Sequence, residues 1–484
     1  MAQPERASAT APLPITVVRR RLVKASDASV QPHVLAVSNL DLIPNAHQTL
    51  VSCVYPKPLS GDFAAVVAAF EAHLPSFLNY FFPLAGRIVL NPSSGLPELH
   101  CLNQGAELVV GEVGVALESL DWGSPESLRK MHVPYAEELA LSVQLLSFAC
   151  GGFAVVWVTN MLIGDGSFEV MLVRTWSEMV RTGTVSGDAP SHDRSVFRRP
   201  RDPPAYGEAV ARMFTLCDGR EEQEDVLNAA EAPSLVDRLY FVEERDVARL
   251  RAAASAGAGG QSATRVQAVS AYLWKLLAAA STRDDDEAAA AGGGGGGNQR
   301  CRMMWWVDGR RRLSSPELRS ALRCYVGNVM SSVVAEEDAE TVLRGSLPEV
   351  AAMVREAIAS PDYDEVFQEL VDFVEAHKPK WFFDKPIVDG LCPTAALSMW
   401  TSFVPADGDF GFGKAALILP VNPSEWTSAL GAAVLHVAPR PGDSGSWIVQ
   451  AESLPPGLAA ALEDDEERLF KPLTAEYLGL SPTS

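Results

Sequence analysis

The sequence predicts an α/β protein built from two halves of comparable size. Its 484 residues are enough for two or three ordinary domains, each with a sizeable core. Strand-like apolar runs alternate with segments of helical spacing in both halves. A polar, proline-bearing stretch from about Thr184 to Val236 separates the two sets. We therefore expect an N-terminal domain over residues 1–190, a crossover loop over residues 191–235 and a C-terminal domain over residues 236–484.

The elements of the first half carry local signals. The run ITVVRRRLVKAS at residues 15–26 is typical of a strand with a basic edge. Asp62 is a candidate N-cap for the amphipathic helix that follows it. Two nearly continuous apolar runs flank the glycines at 151–152, which predicts a β-hairpin in a sheet covered on both faces. Helical spacing resumes after Gly166, and Gly183 is a plausible end for that helix.

The second half repeats the alternation of strands and helices. A strand is predicted near RLYFVEE, followed by helices at RDVARLRAAAS and TRVQAVSAYLWKLLAAAST. Residues 284–299 (DDDEAAAAGGGGGGNQ) are of low complexity and predict a disordered loop. Further strands are predicted at RMMWWVDGRRRL, AALSMWTSF, KAALILP, AAVLHVAP and SWIVQAES.

Composition limits the class of protein. Hydrophobic residues make up 47% and charged residues 21%, as in soluble globular proteins. The formal net charge of -21 argues against a nucleic-acid or anionic-membrane surface, although an anionic ligand needs only a local basic patch. Seven cysteines without a CxxC pair indicate reduced thiols. With neither a signal peptide nor a membrane-length apolar run, we expect a soluble, cytoplasmic protein.

Generic hydrolase and metal sites find little support. The GDSGS run at residues 442–446 lies between two predicted strands, where Gly, Asp and Ser are ordinary hairpin residues. The chain has no G-x-S-x-G elbow and no H-E-x-x-H or tight His/Cys cluster, so no metal is expected. The eight histidines are scattered singly.

One segment has the outline of an active-site turn. In VTNMLIGDGSFEV, residues 158–170, an apolar strand leads into Asp165-Gly166 and then into a helix. A turn of this kind can present a side chain to a cleft, and its aspartate can hold a cation in place. The same pattern also fits a simple β-to-α turn.

Several motifs in order extend this outline to the whole chain. DFGFGK at residues 409–414 resembles the DFGWG signature of plant BAHD acyl-CoA-dependent acyltransferases. Five further segments resemble elements of the same family. YFFPLAGR resembles its YFPLAGR segment, and CGGFAVVWVTNMLIGDG resembles its CGG strand followed by HxxxDG. TRVQAVSAYLWK resembles its SFQALSAHLWR helix, VDGRRRL its DxRxR element and YVGN its Tyr-x-Gly-Asn element. Because the matches run from about Ile15 to about Phe470, the chain is identified as a divergent member.

The resemblance implies a fold and an activity. Two domains of chloramphenicol-acetyltransferase-like topology would enclose a channel, with acyl-CoA entering at one mouth and an acceptor alcohol or amine at the other. A motif histidine acts as general base, and the acceptor attacks the thioester directly. Acyl-CoA is then a co-substrate, no cofactor is permanently bound, and the small acceptor of specialised metabolism is the other partner. Family members are generally monomers.

Site residues follow by position. Asp165, next to Gly166, is the orienting carboxylate, and Arg310 or Arg312 is its expected partner, since arginine matches a carboxylate bidentately. Thr401 and Ser402 match a hydroxyl pair near the thioester that could stabilise an oxyanion, although satisfied strand hydroxyls are equally plausible.

The signature loop of the family is largely structural. That role falls here on Asp409, Gly411, Phe412 and Gly413, with Phe412 replacing the signature tryptophan.

Met161 stands where the family keeps its histidine. A thioether cannot accept a proton at neutral pH, and general base catalysis typically contributes about 10²- to 10⁴-fold in rate. Three interpretations stay open: an acyltransferase with an unusual mechanism, in which a base such as His33 or His377 or an already deprotonated amine compensates; a non-catalytic relative that binds acyl-CoA or a partner; and an unrelated enzyme on a similar scaffold.

Overall fold

The structure is a computed structural model that describes residues 12–45, 47–186, 188–218, 235–256, 261–290, 299–400, 408–422, 432–443, 445–464 and 468–480. For residues 283–290 only the backbone conformation is described.

Strands and helices alternate along the described chain. The strands are β1 (Ile15–Val23), β2 (His33–Ala36), β3 (Gln48–Tyr55), β4 (Arg87–Leu90), β5 (Pro97–Cys101), β6 (Ala106–Val113), β7 (Ser142–Phe148), β8 (Phe153–Asn160), β9 (Phe214–Cys217), β10 (Val236–Val242), β11 (Arg300–Asp308), β12 (Met330–Asp338), β13 (Trp381–Asp384), β14 (Thr394–Met399), β15 (Leu417–Val421), β16 (Ala433–Pro439), β17 (Trp447–Leu454) and β18 (Lys471–Pro472). The α-helices are α1 (Asn39–Leu42), α2 (Phe63–Tyr80), α3 (Glu126–Arg129), α4 (Gly166–Thr182), α5 (Glu208–Ala211), α6 (Glu244–Ser255), α7 (Arg265–Ala290), α8 (Pro316–Leu322), α9 (Ala339–Arg344), α10 (Leu347–Ala359), α11 (Tyr363–His377), α12 (Lys385–Val388) and α13 (Pro456–Glu463).

The first large sheet has the strand order β1-β6-β7-β8-β3-β15. Only the β6–β7 pair is parallel, and β7 and β8 form the predicted hairpin. Along β8, Val155 and Trp157 pack on one face, whereas Ala154, Val156 and Val158 pack on the other. The sheet is therefore covered on both faces, as its continuous apolar runs predict.

The second large sheet has the order β12-β11-β14-β16-β17-β10-β18, with parallel pairs at β11–β14 and β14–β16. The predicted GDSGS hairpin connects β16 to β17. Strand β15 comes from the second half of the chain but pairs with β3 of the first sheet, with Leu419 opposite Ser52. The boundaries at residues 190 and 235 remain a prediction, and β15 ties the two halves together.

Helix ends follow the local chemistry of the sequence. Asp62 caps α2 by accepting a hydrogen bond from the Ala65 backbone N–H. Helix α4 ends at Gly183, whose φ of 76° lies in the left-handed region that glycine adopts without strain. The prediction of a loop from residue 284 is wrong at its start, because α7 continues to Ala290. Alanine and glutamate are good helix formers, which accounts for the extension.

Among the described residues, no helix is both long and apolar enough to cross a membrane. All seven cysteines are free thiols, and Cys150 is exposed. The search of the described chain also found no cluster of three or more His, Cys, Asp or Glu side chains placed to hold a metal ion.

Candidate active site

A cavity of ≈ 1210 Å³ is lined by residues of both large sheets. The first sheet contributes the start of β3 and the turn after β8, including His47, Thr49 and Met161. The second sheet contributes β11, β12, β14 and β16, with Trp305 and Trp306 among the rings. The turn that the sequence singles out therefore lines this cavity.

Asp165 is the buried anchor of this turn. Its carboxylate caps α4 by accepting hydrogen bonds from the backbone N–H groups of Ser167 (3.1 Å) and Phe168 (3.4 Å). The other oxygen accepts from Val329 N (2.9 Å) and from Arg310 Nη1 (2.7 Å). A carboxylate with no solvent exposure needs such partners, because an unpaired buried charge is costly.

Arg310, rather than Arg312, contacts Asp165. Its guanidinium also donates to Asp308 Oδ1 (3.1 Å) and to the carbonyl oxygen of Gly327 (2.8 Å). The neighbouring carboxylates hold the pKa of Arg310 above its ordinary value against the opposing effect of burial. Arg312 instead donates to the Ile358 carbonyl oxygen and lies over the ring of Tyr363.

Gly166 starts α4 against the indole ring of Trp400. A Cβ atom at this position would lie 3.1 Å from a carbon of that ring, so a larger residue would force the two apart. Trp400 lines the cavity and directly precedes Thr401 and Ser402. That predicted hydroxyl pair lies outside the described residues, and its role stays a prediction.

Met161 lines the cavity, and its backbone is held on two sides. The Met161 N–H donates to the His47 carbonyl oxygen (2.8 Å), and the Met161 carbonyl oxygen accepts from Asn328 Nδ2 (2.7 Å). Asn328 is the last residue of the YVGN motif. The turn thus keeps its backbone position while its side chain offers no proton acceptor.

Two histidines line the cavity, His47 and His436. Neither His33 nor His377, the bases considered from the sequence, belongs to its lining. His33 is exposed on β2, and His377 ends α11 with Nδ1 2.7 Å from the Phe373 carbonyl oxygen. No local pattern in the sequence indicates which histidines line the cavity, because the lining depends on which strands are neighbours.

His436 belongs to a buried charge network. Its Nε2 lies 3.3 Å from Asn422 Nδ2 and 3.8 Å from Glu452 Oε2. Glu452 also accepts from Arg129 Nη2 (2.6 Å) and Gln450 Nε2 (2.7 Å). Burial lowers the pKa of His436, and the nearby glutamate opposes that shift.

Asp384, at the end of β13, places a carboxylate in the cavity wall. Trp306 Nε1 donates to its Oδ2 (3.1 Å), and Ser332 Oγ donates to its Oδ1 (3.2 Å). Burial raises the pKa of Asp384 to about 6, so the carboxylate is mostly ionised at pH 7. An ionised carboxylate can accept about four hydrogen bonds, so about two acceptor positions remain beside those used by Trp306 and Ser332.

Exposed arginines from three helical segments also line the cavity. They are Arg174 on α4, Arg311 in the 3-10 turn after β11, and Arg319 and Arg323 on and just after α8. In a chain of net charge -21 they form the local basic patch that an anionic ligand requires.

Comparison with known proteins agrees with this geometry. A model of the Transferase family matches residues 13–469. Agmatine hydroxycinnamoyltransferase 1 of Oryza sativa subsp. japonica is 26% identical over 428 residues, covering 84% of this chain and 89% of that protein. Agmatine coumaroyltransferase-1 of Hordeum vulgare is 28% identical over 367 residues, covering 73% and 77%. The chain belongs to the BAHD transferase family.

Solved structures show the shared fold. Vinorine synthase superposes with a TM-score of 0.66 at 20% identity, covering 95% of this chain and 99% of that chain. F. graminearum TRI101 complexed with coenzyme A and T-2 mycotoxin superposes with a TM-score of 0.69 at 16% identity, covering 91% and 99%. The predicted two-domain, chloramphenicol-acetyltransferase-like fold is confirmed. Acyl-CoA is the co-substrate of this family.

The signature loop of this BAHD chain lies away from the cavity. Asp409 Oδ1 accepts from the Gly411 N–H (2.9 Å), and both Gly411 and Gly413 have positive φ, at 101° and 113°. Phe410 is buried against Tyr55 and Phe70. Phe412 packs on Phe410, and its carbonyl oxygen accepts from the Leu59 N–H. None of these loop residues is among those described as lining the cavity.

Proposed function

We propose that this chain transfers an aromatic acyl group from acyl-CoA to an amine that carries a second positive charge. The observation that carries the proposal is the carboxylate of Asp384 in an aromatic-lined cavity that also contains the motif turn. An amine with a distal cation would place that cation against the carboxylate and its primary amine towards the thioester.

The cavity suits an aromatic acyl-CoA. Trp305, Trp306, Phe382 and Phe383 are among its lining residues. The Trp306 indole lies beside Asp384, and flat aromatic groups pack well against such a ring. The exposed arginines at 174, 311, 319 and 323 supply positive charge for the phosphates of coenzyme A. The named relatives act on hydroxycinnamoyl and coumaroyl groups, which supports an aromatic donor.

A cationic acceptor fits the negative charge of Asp384 in the cavity lining. The two relatives reported above are named for agmatine, an amine that carries a second basic group. The half-buried carboxylate of Asp384 already accepts from Trp306 and Ser332, so it is oriented before a ligand arrives, which reduces the cost of binding a cation. An amine acceptor also lowers the demand on a catalytic base, since a neutral amine is a better nucleophile than an alcohol.

The transfer step is a direct attack on the thioester. The acceptor nitrogen forms a bond to the carbonyl carbon, the C–S bond breaks, and the acceptor loses one proton while CoA leaves as a thiol. Asp165 and Arg310 hold the turn in place but do not line up as proton acceptors, because their charges satisfy each other. Thr401 and Ser402 remain predicted oxyanion donors.

Met161 favours a second candidate, a non-catalytic family member that binds acyl-CoA without turnover. A methionine side chain is a flexible apolar lining residue and is compatible with ligand binding. This alternative predicts that the chain binds acyl-CoA but forms no acylated product with any acceptor.

The test is turnover by the purified full-length chain. Coumaroyl-CoA, benzoyl-CoA and acetyl-CoA are each combined with agmatine, with putrescine and with the matched monoamine butylamine, which lacks the second basic group. Amide product and free CoA are measured by chromatography with mass detection, because the exposed thiol of Cys150 would react with thiol reagents. We expect amide from an aromatic donor and a cationic amine. Acyl-CoA binding by calorimetry without amide from any pair would favour the non-catalytic alternative.

The cytoplasmic location and the monomeric state expected from the sequence remain predictions. Gel filtration of the purified chain measures the second directly, and a mass near the sequence value of 52.0 kDa is the expected result.

A further inference from the structure

Within the part of the chain that the structure describes, no arginine is paired with Asp384, which distinguishes it from several fully buried carboxylates. Those carboxylates each have a guanidinium within ion-pair distance: Asp41 with Arg194 (2.9 Å), Asp165 with Arg310 (2.7 Å), Asp372 with Arg201 (3.4 Å) and Glu452 with Arg129 (2.6 Å). The groups that contact the Asp384 carboxylate are the neutral donors Trp306 and Ser332. A cationic ligand would therefore supply at Asp384 what the chain itself supplies elsewhere.

Two other carboxyl groups near the cavity do not offer the same charge. Asp308 also lines the cavity, but its Oδ1 accepts from Arg310 Nη1 (3.1 Å), so its charge is already paired. Glu169 lies outside the lining, and burial raises its pKa to about 8, so it holds a proton at pH 7. Asp384 is the cavity-lining carboxylate of the described chain that is both ionised and without a cation.

The two donors of Asp384 leave one acceptor position on each of its oxygens. Trp306 Nε1 donates to Oδ2 (3.1 Å), and Ser332 Oγ donates to Oδ1 (3.2 Å). Trp306 and Ser332 are directly opposite each other in the β11–β12 pair, so the register of the sheet fixes both donors together. Because a carboxylate oxygen can accept about two hydrogen bonds, one position stays on Oδ1 and one on Oδ2. Two parallel N–H groups match such a pair of positions.

The surroundings of Asp384 are apolar. Asp384 directly precedes helix α12, which carries Ile387 and Val388. These two side chains and Trp306 belong to one apolar cluster, and all three residues line the cavity. Burial is the main cause of the raised pKa of Asp384, which indicates that little water surrounds the carboxylate. A guanidinium is more weakly hydrated than an ammonium, so it loses less on entering such a site.

We propose that Asp384 binds the distal group of the acceptor as a planar guanidinium, and that the chain selects guanidino-amines over diamines of matched length. The inference deepens the proposed function and rests on it, because it concerns the second positive charge of the same acceptor. Two N–H groups on one edge of a guanidinium donate to the two carboxylate oxygens, whereas an ammonium is a point charge without a fixed pair of donors. The primary amine at the other end of the acceptor stays free to attack the thioester.

The test compares three acceptors on the full-length chain. Agmatine carries the guanidinium. 1,5-Diaminopentane has an ammonium where agmatine has its guanidinium carbon, so it keeps the charge and loses the planar pair of donors. N-Carbamoylputrescine has a urea in place of the guanidinium, so it keeps a planar pair of N–H groups and loses the charge. We measure kcat/KM with the acyl-CoA that gives most product, and the affinity of each acceptor by calorimetry.

We expect kcat/KM of the wild-type chain for agmatine to exceed that for each of the other two acceptors at least tenfold, because charge-assisted bidentate pairs are the stronger ones. The affinities should follow the same order, since the contact with Asp384 forms before the transfer step.

Two variants test whether the position of the carboxylate sets this preference. Asp384→Glu keeps the charge but moves the carboxylate away from the Trp306 and Ser332 donors, so the preference for agmatine over 1,5-diaminopentane should fall to about threefold or less. Ser332→Ala removes one orienting donor with a smaller change of shape, and it should also lower the preference if Asp384→Glu does not fold. Asp464→Glu, an exposed change outside the cavity lining, is the matched control and should leave the preference unchanged.

The outcomes separate this inference from the proposed function. If agmatine and 1,5-diaminopentane differ by less than threefold, and both exceed butylamine, the inference is overturned while the proposed function stands. If the full preference persists in both Asp384→Glu and Ser332→Ala, the guanidinium binds elsewhere and the inference is again overturned. If N-carbamoylputrescine equals agmatine, the chain does not recognise the charge, which overturns both proposals.

A chain that forms no amide with any pair would overturn the proposed function, and calorimetry would then decide the inference alone. Binding of agmatine at least tenfold tighter than binding of 1,5-diaminopentane would support the guanidinium site. Equal affinities would overturn it.

Discussion

The two sides of the turn between β8 and α4 differ in how completely their side chains match the role of an active-site turn. On the side of the helix, the Asp165 carboxylate has no solvent exposure and accepts hydrogen bonds from Ser167, Phe168, Val329 and Arg310. On the side of the cavity, Met161 contributes a thioether with no capacity to accept a proton. The backbone of both residues is nevertheless fixed by hydrogen bonds.

This difference shows that the side chains that fix an active-site turn are distinct from the side chain that would carry out the reaction. The holding groups form a closed set in which each charge is satisfied by another part of the chain, so removing one leaves a buried charge unpaired. The reacting group has to lie in the cavity, and at this turn Met161 lies there without a proton acceptor.

Asp165→Asn should lower the free energy of unfolding by about 3–5 kcal/mol, because the buried Arg310 loses its buried carboxylate partner and keeps only the more exposed Asp308. Chemical denaturation followed by circular dichroism measures the change. Glu340→Gln, which removes the exposed i,i+4 pair with Arg344, is the control and should cost less than about 1 kcal/mol. Equal effects from the two changes would contradict the distinction between holding and exposed pairs.

Asp384→Asn should reduce kcat/KM for agmatine or putrescine about 10- to 100-fold, since a hydrogen bond to a charged group contributes about 1.5–3 kcal/mol. Butylamine, which has no second charge, should change by less than threefold. Steady-state rates with both acceptors measure the ratio. A parallel loss for both amines would mean that Asp384 supports the wall rather than recognising a cation.

Glu169→Gln should flatten the dependence of stability on pH above 4.5. Burial, aided by the charge of Asp165, raises the pKa of Glu169 from 4.5 to about 8. Between these values the folded chain holds a proton that the unfolded chain has lost, so wild-type stability falls as pH rises, by up to about 1.4 kcal/mol per unit. The free energy of unfolding of the variant, relative to that of wild type, should therefore rise by about 2 kcal/mol between pH 5.5 and pH 7.5. Urea unfolding at the two pH values measures this change. A constant difference would show that Glu169 does not titrate in this range.

Arg319→Glu should raise the KM for acyl-CoA about three- to tenfold at low salt and less at 0.5 M salt, because the residue is exposed and its field is screened. Arg344→Glu, an exposed arginine on α9 outside the cavity lining, is the matched control and should leave KM unchanged. Equal effects of both reversals would point to net charge rather than to a local phosphate contact.

Much of the fold was predictable because its signals are local. The N-cap at Asp62, the hairpin at the glycines 151–152 and the end of α4 at Gly183 each depend on a few neighbouring residues. The boundary at residue 284 was missed because helix propensity continues through the acidic and alanine-rich start of the low-complexity segment. The sequence leaves Arg310 and Arg312 as alternative partners of Asp165, because residues so close in sequence can both reach the same region of the fold. The structure shows that Arg310 is the partner.

Residue identity and order are enough to identify the family, to locate the motif turn and to show that the turn has no base. Tertiary structure decided that Arg310 is the partner of Asp165, that β15 joins the first sheet, and that His47 lies opposite Met161. Each of the latter brings together residues more than 100 positions apart. Such pairings depend on strand register and on packing between sheets, and no short pattern in the chain encodes them.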